Sequence, residues 1–304
     1  MKIGIVDLDT SHPASWIPLE RAAGHEVVAL YDGGSVHPPD YVETFAREHG
    51  IARVHSSLEA MAGEVDAAII HGCDWSTHVE KARPFVEAGK AVFLDKPVAG
   101  NLEELRQVER WARAGARITG GSALRFCREI MAWQGLDAAE RGEAHTLFAG
   151  CAVDEFNYGI HAYSLACAVL GEGIVSVRHL GQRVQRRLQL NWADGRSAFL
   201  SIGKQEGWMP YHATIITDLK VFQLQPEVGL LYAALLERVL PYLAGETDTP
   251  PLSPEGLIEP ELAALAAKVS WEEGDREVLL SELREGGGYD GPVFAHGYRA
   301  AKYG

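Results

Sequence analysis

Basic residues and long apolar runs are both scarce in this chain of 304 residues. Lys and Arg together number 28 against 42 Asp and Glu, so the formal net charge is −14 at pH 7. This charge disfavours binding to nucleic-acid phosphates or to an anionic membrane surface. No apolar run is long enough to span a bilayer, and a strand-like segment follows Met1 directly, without a signal peptide. We therefore expect a cytoplasmic protein that binds neither nucleic acid nor membrane.

Cysteine is also rare, and the four cysteines lack the paired spacing of zinc-binding or redox motifs. They stand at Cys73, Cys127, Cys151 and Cys167. Scattered cysteines of this kind are typical of buried, reduced thiols in a reducing compartment. The sequence therefore predicts four free thiols.

Apolar strand-like segments alternate with helical segments over the first part of the chain. Strands are predicted at 2–6, 25–32, 53–55, 66–70, 90–95 and 118–126. The helical segments between most of them run for about ten to fifteen residues. Pro13 is predicted to lie in the first turn of one of these helices, and Asn101 to cap another. This alternation predicts an α/β fold with a doubly wound parallel sheet of the Rossmann type. We assign residues 1–121 to this dinucleotide-binding domain.

The pattern changes after residue 122, where strands follow one another with few helices between them. Strands are predicted at 147–153, 176–180, 187–192, 198–203, 212–217 and 220–224. Asp194-Gly195 is typical of a hairpin turn. Helices are predicted at 161–170, 230–243 and 260–274, followed by an irregular docked tail at 284–304. Residues 122–304 are thus expected to form an α+β domain with a largely antiparallel open sheet.

The predicted strand that starts at Lys90 ends abruptly in two charged residues and a proline. These are Asp95, Lys96 and Pro97. Ligands of open α/β sheets bind just outside the carboxyl ends of the strands. Charged side chains there are costly unless a ligand or a partner meets them. Lys96 is therefore the first candidate for chemistry, against the alternative of surface charges after a strand that Pro97 terminates.

Several motifs, in this order and spacing, resemble the Gfo/Idh/MocA family of NAD(P)-dependent oxidoreductases over nearly the whole chain. Asp95-Lys96-Pro97 stands where the family has a strand ending in Glu-Lys-Pro. The stretch from Asn157 to His161 (Asn-Tyr-Gly-Ile-His) corresponds to the family's Asp-x-Gly-x-His at the start of a helix. Leu124-Arg125-Phe126 resembles the segment that leads into the second domain. The resemblance predicts the family's two-domain fold, with substrate binding and oligomerisation in residues 122–304.

The resemblance implies hydride transfer between NAD(H) and a sugar, cyclitol or related polyol. Lys96 would hydrogen-bond the reacting oxygen and stabilise its developing charge. His161 would act as general base, because an imidazole pKa lies near neutral pH. Asn157 would orient the imidazole or a substrate hydroxyl. The residues expected to contact the cofactor are Asp9, Thr10, Ser11, His12, Asp32, His71, Asp95 and Arg125.

The form of the cofactor follows from the end of the second predicted strand. Asp32 would accept hydrogen bonds from the adenosine ribose and would repel a 2′-phosphate. Gly33 and Gly34 offer no cation to hold such a phosphate. NAD is therefore favoured over NADP.

The glycine-rich fingerprint that should cradle the pyrophosphate is missing after the first strand. Asp7, Asp9 and His12 take the three glycine positions. Aspartate tolerates left-handed backbone better than most residues, so the turn can form. A carboxylate about 4 Å from a phosphate costs on the order of 4 kcal/mol, however, unless it turns away or meets a cation. The alternative is that both acids point outward and cap the helix that follows.

A rival hypothesis uses the same edge of the sheet as a metal site. Carboxylates and imidazoles of this number can hold Zn²⁺, Mn²⁺ or Fe²⁺ in a lyase, isomerase or hydrolase. The candidate ligands are Asp7, Asp9, His12, His71, Asp74, His78, Asp95 and His161. Of these, Asp74 and His78 are four positions apart and are predicted to lie on one face of a helix. A third hypothesis is a ligand-binding protein that kept the fold and lost the cofactor.

The second domain also bears on assembly. An antiparallel sheet with an uncovered apolar face usually finds a partner. Members of the family that this chain resembles commonly form oligomers. We therefore expect a homodimer or a homotetramer.

Overall fold

The computed structural model describes residues 1–207 and 209–304, which divide into two compact units. The first unit contains Met1–Gly121, Leu236–Pro254 and Asp290–Gly304. The second contains Ser122–Leu235 and Glu255–Tyr289. The assignment of dinucleotide binding to residues 1–121 and of substrate binding to 122–304 remains a prediction. No helix among the described residues is long and apolar enough to cross a membrane.

The first unit is built on a six-stranded parallel sheet with the strand order β3-β2-β1-β4-β5-β6. Its strands are β1 Lys2–Val6, β2 Glu26–Tyr31, β3 Arg53–Val54, β4 Ala67–Ile70, β5 Ala91–Asp95 and β6 Ile118–Gly121. Every residue of β4 and β5 is buried, because helices cover both faces of a doubly wound sheet. The predicted Rossmann-type sheet is confirmed.

Helices cross over between the strands of this sheet. They are α1 His12–Ala22, α2 Pro39–Glu48, α3 Leu58–Ala62, α4 His78–Glu87 and α5 Leu102–Arg113. Asn101 starts α5 by accepting a hydrogen bond from the Glu104 amide at 2.9 Å, as its position predicted. A short 3₁₀ helix, Trp75–Thr77, precedes α4.

The strand predicted at 118–126 is shorter than expected. β6 ends at Gly121, whose φ of 94° lies in the left-handed region. Ser122 then accepts from the Leu124 amide and starts a 3₁₀ helix, Ala123–Phe126. The prediction was wrong for residues 122–126, because a local side-chain cap takes the place of the ladder hydrogen bonds.

The second unit is built on a seven-stranded sheet with the order β12-β11-β7-β10-β9-β8-β13. Its strands are β7 Ala144–Cys151, β8 Ile174–Gln182, β9 Arg186–Trp192, β10 Ser197–Ile202, β11 His212–Thr217, β12 Val221–Leu224 and β13 Glu277–Leu279. Only the β7–β10 pair is parallel among the described pairings. The predicted Asp194-Gly195 hairpin joins β9 to β10, with Gly195 at φ 91°. The largely antiparallel sheet is confirmed.

The remaining helices are α6 Arg128–Gln134, α7 Ala138–Arg141, α8 Ile160–Leu170, α9 Leu231–Leu243, α10 Pro254–Glu272 and α11 Gly291–Tyr303. α8 is buried along almost its whole length and contacts β7 and β10. α10 was predicted to start at Pro260, but that proline lies inside the helix. A helix start at Pro254 fits the same preference for proline in a first turn.

The expectation of an irregular tail at 284–304 was wrong, because its last part forms α11. Asp290 caps this helix by accepting from the Val293 amide at 2.9 Å. Pro292 lies in the first turn, where its missing N–H has no cost. Both signals are present in the sequence.

Candidate functional site

The carboxyl edge of the parallel sheet gathers most of the polar residues singled out in the sequence. The strand order reverses between β1 and β4, which is where open α/β sheets bind ligands. We call the loops after β2, β1 and β4 (residues 32–37, 7–12 and 71–75) the switch-point crevice.

Asp7, at the first glycine position, turns into the protein and meets a cation. Its φ of 68° is left-handed, as its place in a tight turn predicted. One carboxylate oxygen accepts from the Gly33 amide at 2.9 Å, and the other pairs with the Lys81 ammonium at 2.6 Å. Both side chains are buried. The alternative that Asp7 points outward to cap α1 is wrong.

Lys81 was missed by the sequence reasoning. It lies on α4, some seventy positions after its partner Asp7. In the sequence it cannot be distinguished from a solvent-exposed lysine on a helix. Burial lowers its pKa, but the charge of Asp7 outweighs burial and raises the pKa above its ordinary value. The only sequence signal was the need for a cation near a buried acid.

Asp9, at the second glycine position, is 1% exposed, and only one of its two carboxylate oxygens has a hydrogen-bond partner among the described residues. Its Oδ2 accepts from the Cys73 amide at 2.8 Å, whereas Oδ1 has no hydrogen-bond partner among the described residues. Burial, and next the charge of Asp7, raises the pKa of Asp9 to about 6. Asp9 does not cap α1 either, since its bonded oxygen is turned to the loop after β4.

The three residues that follow Asp9 form the start of α1. Thr10 Oγ1 accepts from the His12 amide at 3.2 Å, so it closes a local turn. Ser11 occupies the N-cap position and is exposed, but its side chain makes no capping bond. Pro13 lies in the first turn, as predicted.

Asp32, the expected ribose ligand, stands at the end of β2 and organises its own loop. Its oxygens accept from the Leu8 amide at 2.9 Å and from the Gly34 amide at 2.8 Å. Burial raises the pKa of Asp32 above its ordinary value. The carboxylate thus ties the loops after β1 and β2 together.

His12, His71 and Asp95 come together in one cluster. Asp95 Oδ2 accepts from His12 Nδ1 at 2.5 Å and from His71 Nδ1 at 3.0 Å. Burial alone would raise the pKa of Asp95, but the charge and hydrogen bonds of the imidazoles hold it well below its ordinary value. His71 is fully buried, which lowers its pKa, and its Nε2 has no hydrogen-bond partner in the part of the chain described. One ligand atom from each residue lies within 4.8 Å of the others, a spacing that could hold a metal ion.

Two other candidate metal ligands are used elsewhere. Asp74 caps the 3₁₀ helix at Trp75–Thr77 by accepting from the Ser76 amide at 3.2 Å. His78 lies between two backbone carbonyls, with Nε2 2.7 Å from Gly72 O and Nδ1 3.2 Å from Val98 O. Asp74 precedes α4, so the predicted pairing of Asp74 and His78 on one helix face is wrong.

Lys96 follows β5 at the same carboxyl edge as the crevice, and it is half-buried. Its amide donates to Asp95 Oδ1 at 2.8 Å, so the imidazole-anchored carboxylate also fixes the backbone of Lys96. The Lys96–Pro97 peptide bond is cis. Lys96 therefore lies directly after β5, with its backbone amide held by Asp95.

His161 belongs to the second unit and is the second residue of α8. Its Nδ1 lies 2.6 Å from Ser122 Oγ, and the Tyr211 ring approaches it edge-on at 5.3 Å. Asn157 is buried just ahead of α8. Ser122, a residue that the sequence reasoning missed, is thus hydrogen-bonded to the imidazole.

Arg125 also lies in the second unit, in the 3₁₀ helix after β6. Its guanidinium is buried and donates to the Gly256 carbonyl at 2.6 Å, in the first turn of α10. Arg125 therefore joins two helical segments of its own unit. Its expected contact with a cofactor remains a prediction.

The loops of the switch-point crevice, as the structure describes them, do not fit a dinucleotide pyrophosphate. Close approach needs glycine and free amides, but Asp9 presents a buried carboxylate oxygen with no partner among the described residues. The amide of His12 is already bonded to Thr10. The adjacent Asp7 and Asp32 add further negative charge around Asp9.

Comparison with known proteins finds a family profile that matches the first part of this chain and curated relatives that match about a third of it. The profile of the family described as "Oxidoreductase family, NAD-binding Rossmann fold" matches residues 1–119. A trans-1,2-dihydrobenzene-1,2-diol dehydrogenase from Oryctolagus cuniculus is 33% identical over 91 residues, which is 30% of this chain and 26% of that protein. A 1,5-anhydro-D-fructose reductase from Ensifer adhaerens is 31% identical over 101 residues, 33% of this chain and 29% of that protein. The chain thus spans less than a third of the length of these two curated relatives.

Solved structures show the fold over most of the chain. Scyllo-inositol dehydrogenase from Lactobacillus casei, with bound NAD(H) and scyllo-inositol, superposes with a TM-score of 0.77 at 16% identity, covering 93% of this chain and 99% of that one. UDP-N-acetylglucosamine 3-dehydrogenase from Acidithiobacillus ferrooxidans gives 0.71 at 17% identity, covering 88% and 98%. At these identities the likeness establishes a shared two-part architecture.

Proposed function

Residues 1–119 belong to the Gfo/Idh/MocA oxidoreductase family, and from this premise we propose that the protein oxidises or reduces a sugar, cyclitol or related polyol. The observation that carries the proposal is Lys96 at the carboxyl end of β5, with its backbone fixed by Asp95. The family implies a nicotinamide dinucleotide as hydride donor or acceptor, although the loops of the switch-point crevice do not offer its pyrophosphate the usual glycine cradle. The roles proposed below are those of the chain's own residues.

Lys96 is proposed to bind the oxygen atom of the reacting hydroxyl or carbonyl. An ammonium group that donates a hydrogen bond there stabilises negative charge as it develops. His12 and His71 hold Asp95, and Asp95 holds the Lys96 amide, so the lysine starts from a preorganised position. This support is a reason to prefer Lys96 over other lysines of the chain.

His161 is proposed to take the proton of the substrate hydroxyl through Nε2. This role needs the tautomer in which Nδ1–H donates to Ser122 Oγ, because Nε2 must then carry the lone pair that accepts the proton. Ser122 is then a positioning residue. Asn157, buried one turn upstream, is proposed to bind a further substrate hydroxyl.

The dinucleotide is proposed to be NAD rather than NADP. Asp32 places a carboxylate at the end of β2, and Gly33 and Gly34 supply no cation beside it. A 2′-phosphate there would meet only negative charge. Parallel titration of the protein with NADH and NADPH tests this preference.

The catalytic proposal is tested by screening sugars and cyclitols with NAD or NADH and then comparing Lys96→Met with the wild type. Loss of a charge-stabilising donor lowers kcat/KM by about 10²- to 10³-fold. Lys204→Met, a change at an exposed lysine, is the matched control and leaves turnover unchanged. Full activity of Lys96→Met on an identified substrate would contradict the assignment.

The role of His161 is tested by His161→Asn together with Ser122→Ala. Loss of a general base lowers kcat by about 10²- to 10⁴-fold. Ser122→Ala should keep the fold and shift the pH profile of kcat, because the imidazole loses its tautomer-selecting partner. An unchanged pH profile of kcat in Ser122→Ala would show that Ser122 does not select the tautomer of His161.

A second candidate function rests on the cluster of His12, His71 and Asp95. Two imidazoles and one carboxylate form a set of ligands that transition metals accept, as in a metal-dependent lyase, isomerase or hydrolase. This candidate predicts stoichiometric Zn, Mn or Fe by elemental analysis of protein purified without chelator. His71→Ala should abolish metal binding, and metal-free wild-type protein that turns over a polyol would exclude it.

A further inference from the structure

Two tyrosine rings stand beside the imidazole of His161 in the second unit. The centroid of the Tyr211 ring lies 5.3 Å from that of the imidazole, with the planes inclined by 65°. The Tyr158 ring lies 5.9 Å away and is inclined by 74°. His161 and Tyr211 are half-buried and Tyr158 is 37% exposed, so solvent reaches all three residues. We call Tyr158 and Tyr211 the tyrosine pair, which frames the imidazole with accessible aromatic surface.

The loop between β7 and α8 holds Tyr158 through an unusual backbone conformation. Val153 has a φ of 85°, which is an outlier for a β-branched residue. Asp154 Oδ1 follows and accepts from the Phe156 amide at 2.9 Å and from the Tyr158 amide at 3.0 Å. Strained backbone of this kind clusters at catalytic and ligand-binding sites. Asp154 thus fixes the backbone that carries the Tyr158 ring.

Tyr211 is brought to His161 by the sheet of the second unit. It immediately precedes β11, whose first residue, His212, pairs with Gly150 of β7. β7 ends one residue later, at Cys151, and leads into the loop that carries the other tyrosine. The ends of two neighbouring strands therefore deliver both members of the tyrosine pair to one place. α8, which carries His161, packs on the same sheet.

Both phenols keep their protons near neutral pH. Burial, and next the charge of Asp154, raises the pKa of Tyr158 above its ordinary value. Burial, and next the charge of Cys151, raises the pKa of Tyr211. A neutral phenol offers an apolar ring face together with a hydroxyl group that donates or accepts a hydrogen bond. The tyrosine pair is therefore suited to a ligand with both apolar and hydroxyl surface.

A polyol that is closed into a six-membered ring matches this combination better than an open chain does. Ring closure aligns several C–H bonds on one face, and their partly positive hydrogens are attracted by the negative face of an aromatic ring. An open chain rotates about each carbon–carbon bond and loses more conformational entropy when it is bound. Aromatic side chains with a few polar groups are also the usual lining of small-molecule sites.

We propose that Tyr158 and Tyr211 determine specificity at His161, by selecting a ring-closed polyol, a pyranose or a cyclitol, over an open-chain polyol. The proposal rests on the proposed function for the polyol class and for the role of His161, and it involves no contact with a dinucleotide. The phenol rings lie against the C–H face of the polyol ring, while Ser122 holds the imidazole at Nδ1. Asp154 is a positioning residue that acts through Tyr158.

The first experiment measures binding without any dinucleotide. Saturation-transfer NMR compares three rings, myo-inositol, scyllo-inositol and methyl β-D-glucopyranoside, with the open-chain hexitols sorbitol, mannitol and galactitol. At least one ring should bind the wild type at least about tenfold more tightly than every hexitol, with the strongest saturation transfer to its ring C–H protons. Equal affinities for rings and chains would overturn the proposal, as would absence of binding by every ring.

Substitutions at Tyr211 separate contact with an aromatic face from the filling of space. Tyr211→Phe keeps this face and should retain the preference for rings over chains. Tyr211→Leu keeps an apolar side chain without the face and should lower that preference by about three- to tenfold. Tyr303→Ala, which removes an exposed tyrosine of the first unit, is the matched control and binds like the wild type. Equal ring preferences in the Leu and Phe variants, both folded by circular dichroism, would refute the role of the aromatic face.

Two substitutions at Asp154 test how Tyr158 is held. Asp154→Asn keeps an oxygen that can accept from both loop amides, so the preference for rings should survive. Asp154→Ala removes this acceptor and should lower the preference as Tyr211→Leu does. A full preference in Asp154→Ala would contradict the positioning of Tyr158 by this carboxylate.

This proposal and the proposed function fail in different ways. Selective binding of rings, lost in Tyr211→Leu, without turnover of any polyol would keep the tyrosine pair and refute the proposed function. Turnover of an open-chain polyol with the same kcat/KM as a ring, and insensitive to Tyr211→Leu, would do the reverse.

Discussion

Asp7 shows how far a single position could be interpreted from sequence. Its left-handed backbone was expected because aspartate tolerates that region, and the φ of 68° confirms it. Its partner Lys81 could not be predicted, because a buried ion pair across some seventy positions leaves no periodic or local signal. Local conformation was thus predictable, and the choice of counter-ion was not.

The Asp7–Lys81 pair predicts a strong and reversible loss of stability. Lys81→Met leaves a buried carboxylate without its cation, and breaking a buried pair from one side costs about 3–5 kcal/mol. Asp7→Asn with Lys81→Met removes both charges and should recover most of that loss. Urea unfolding followed by circular dichroism measures both variants. A double variant no more stable than Lys81→Met would show that the pair itself is not the cause.

Glu20, on α1, predicts a pH dependence of stability. It is 0% exposed, and neither carboxyl oxygen has a hydrogen-bond partner in the described parts of the chain. Burial raises its pKa from 4.5 to about 8. A folded-state pKa above the unfolded one means that the folded protein holds the proton more tightly. The contribution of Glu20 is therefore fully present below pH 4.5 and is lost as pH rises through 8.

Glu20→Gln should remove this slope. Relative to the wild type, the variant should gain stability as pH rises from about 5 to 9, by on the order of 4 kcal/mol. Glu43→Gln, at an exposed position on α2, is the control and should keep the wild-type pH dependence. Parallel unfolding profiles of Glu20→Gln and the wild type over this range would contradict the burial argument.

Among the elements, those with strong local signals were predicted correctly. The buried run of β5 and the Asn101 cap of α5 depend on patterns within a few residues. The end of β6 and the existence of α11 depend on weaker signals, and both were missed. The three glycines at 286–288 suggested an irregular segment, so the cap at Asp290 was overlooked. The buried stripe of α11 is narrow, so its apolar residues show little helical periodicity.

Gly120 tests the packing of β6 against β5. It pairs with Leu94, and an added Cβ would lie 2.3 Å from the Leu94 carbonyl oxygen. Gly120→Ala must therefore push the strands apart next to Asp95 and Lys96, at a cost of about 1–3 kcal/mol. Activity should fall with stability, because the position of Lys96 depends on this strand.

Gly229→Ala provides the matched comparison for Gly120→Ala. No described atom lies within 4 Å of the Cβ added at Gly229, so this variant should unfold like the wild type. Thermal unfolding and turnover of both variants are compared on one substrate. If Gly120→Ala matched Gly229→Ala in both measurements, the close approach of β6 to β5 would contribute neither to stability nor to activity.

At the scale of the whole molecule, the sequence predicted correctly that several polar residues meet at the sheet edge, but not all of the contacts that they make there. His12, His71 and Asp95 do meet, as parallel strands with common carboxyl ends require. The contacts around Asp9 could not be predicted, because α11, at the far end of the chain, contacts the same crevice. Contacts between distant segments are set by the complete fold, which no local pattern records.

The outer face of the second sheet is the surface at which we predict that the expected homo-oligomer would pair. Buried and outward positions alternate along β10 and β11, and α8 covers the buried side. On the outward side, the rings of Phe148 and Phe199 stack at 5.3 Å, and Phe148 remains 44% exposed. An open sheet face with aromatic residues is stabilised by pairing with a second copy.

If the protein is the expected dimer, Phe148→Glu should therefore convert it into a monomer. The substitution places a charge on a face that pairing would desolvate, so the dissociation constant should rise by at least about two orders of magnitude. Val293→Glu, which adds the same charge at an exposed site on α11, should leave the assembly intact. Light scattering at micromolar concentration distinguishes the two species. A monomeric wild type would refute the oligomer outright, whereas a dimeric Phe148→Glu would refute only this face, because the same charge buried at a true interface could not be tolerated.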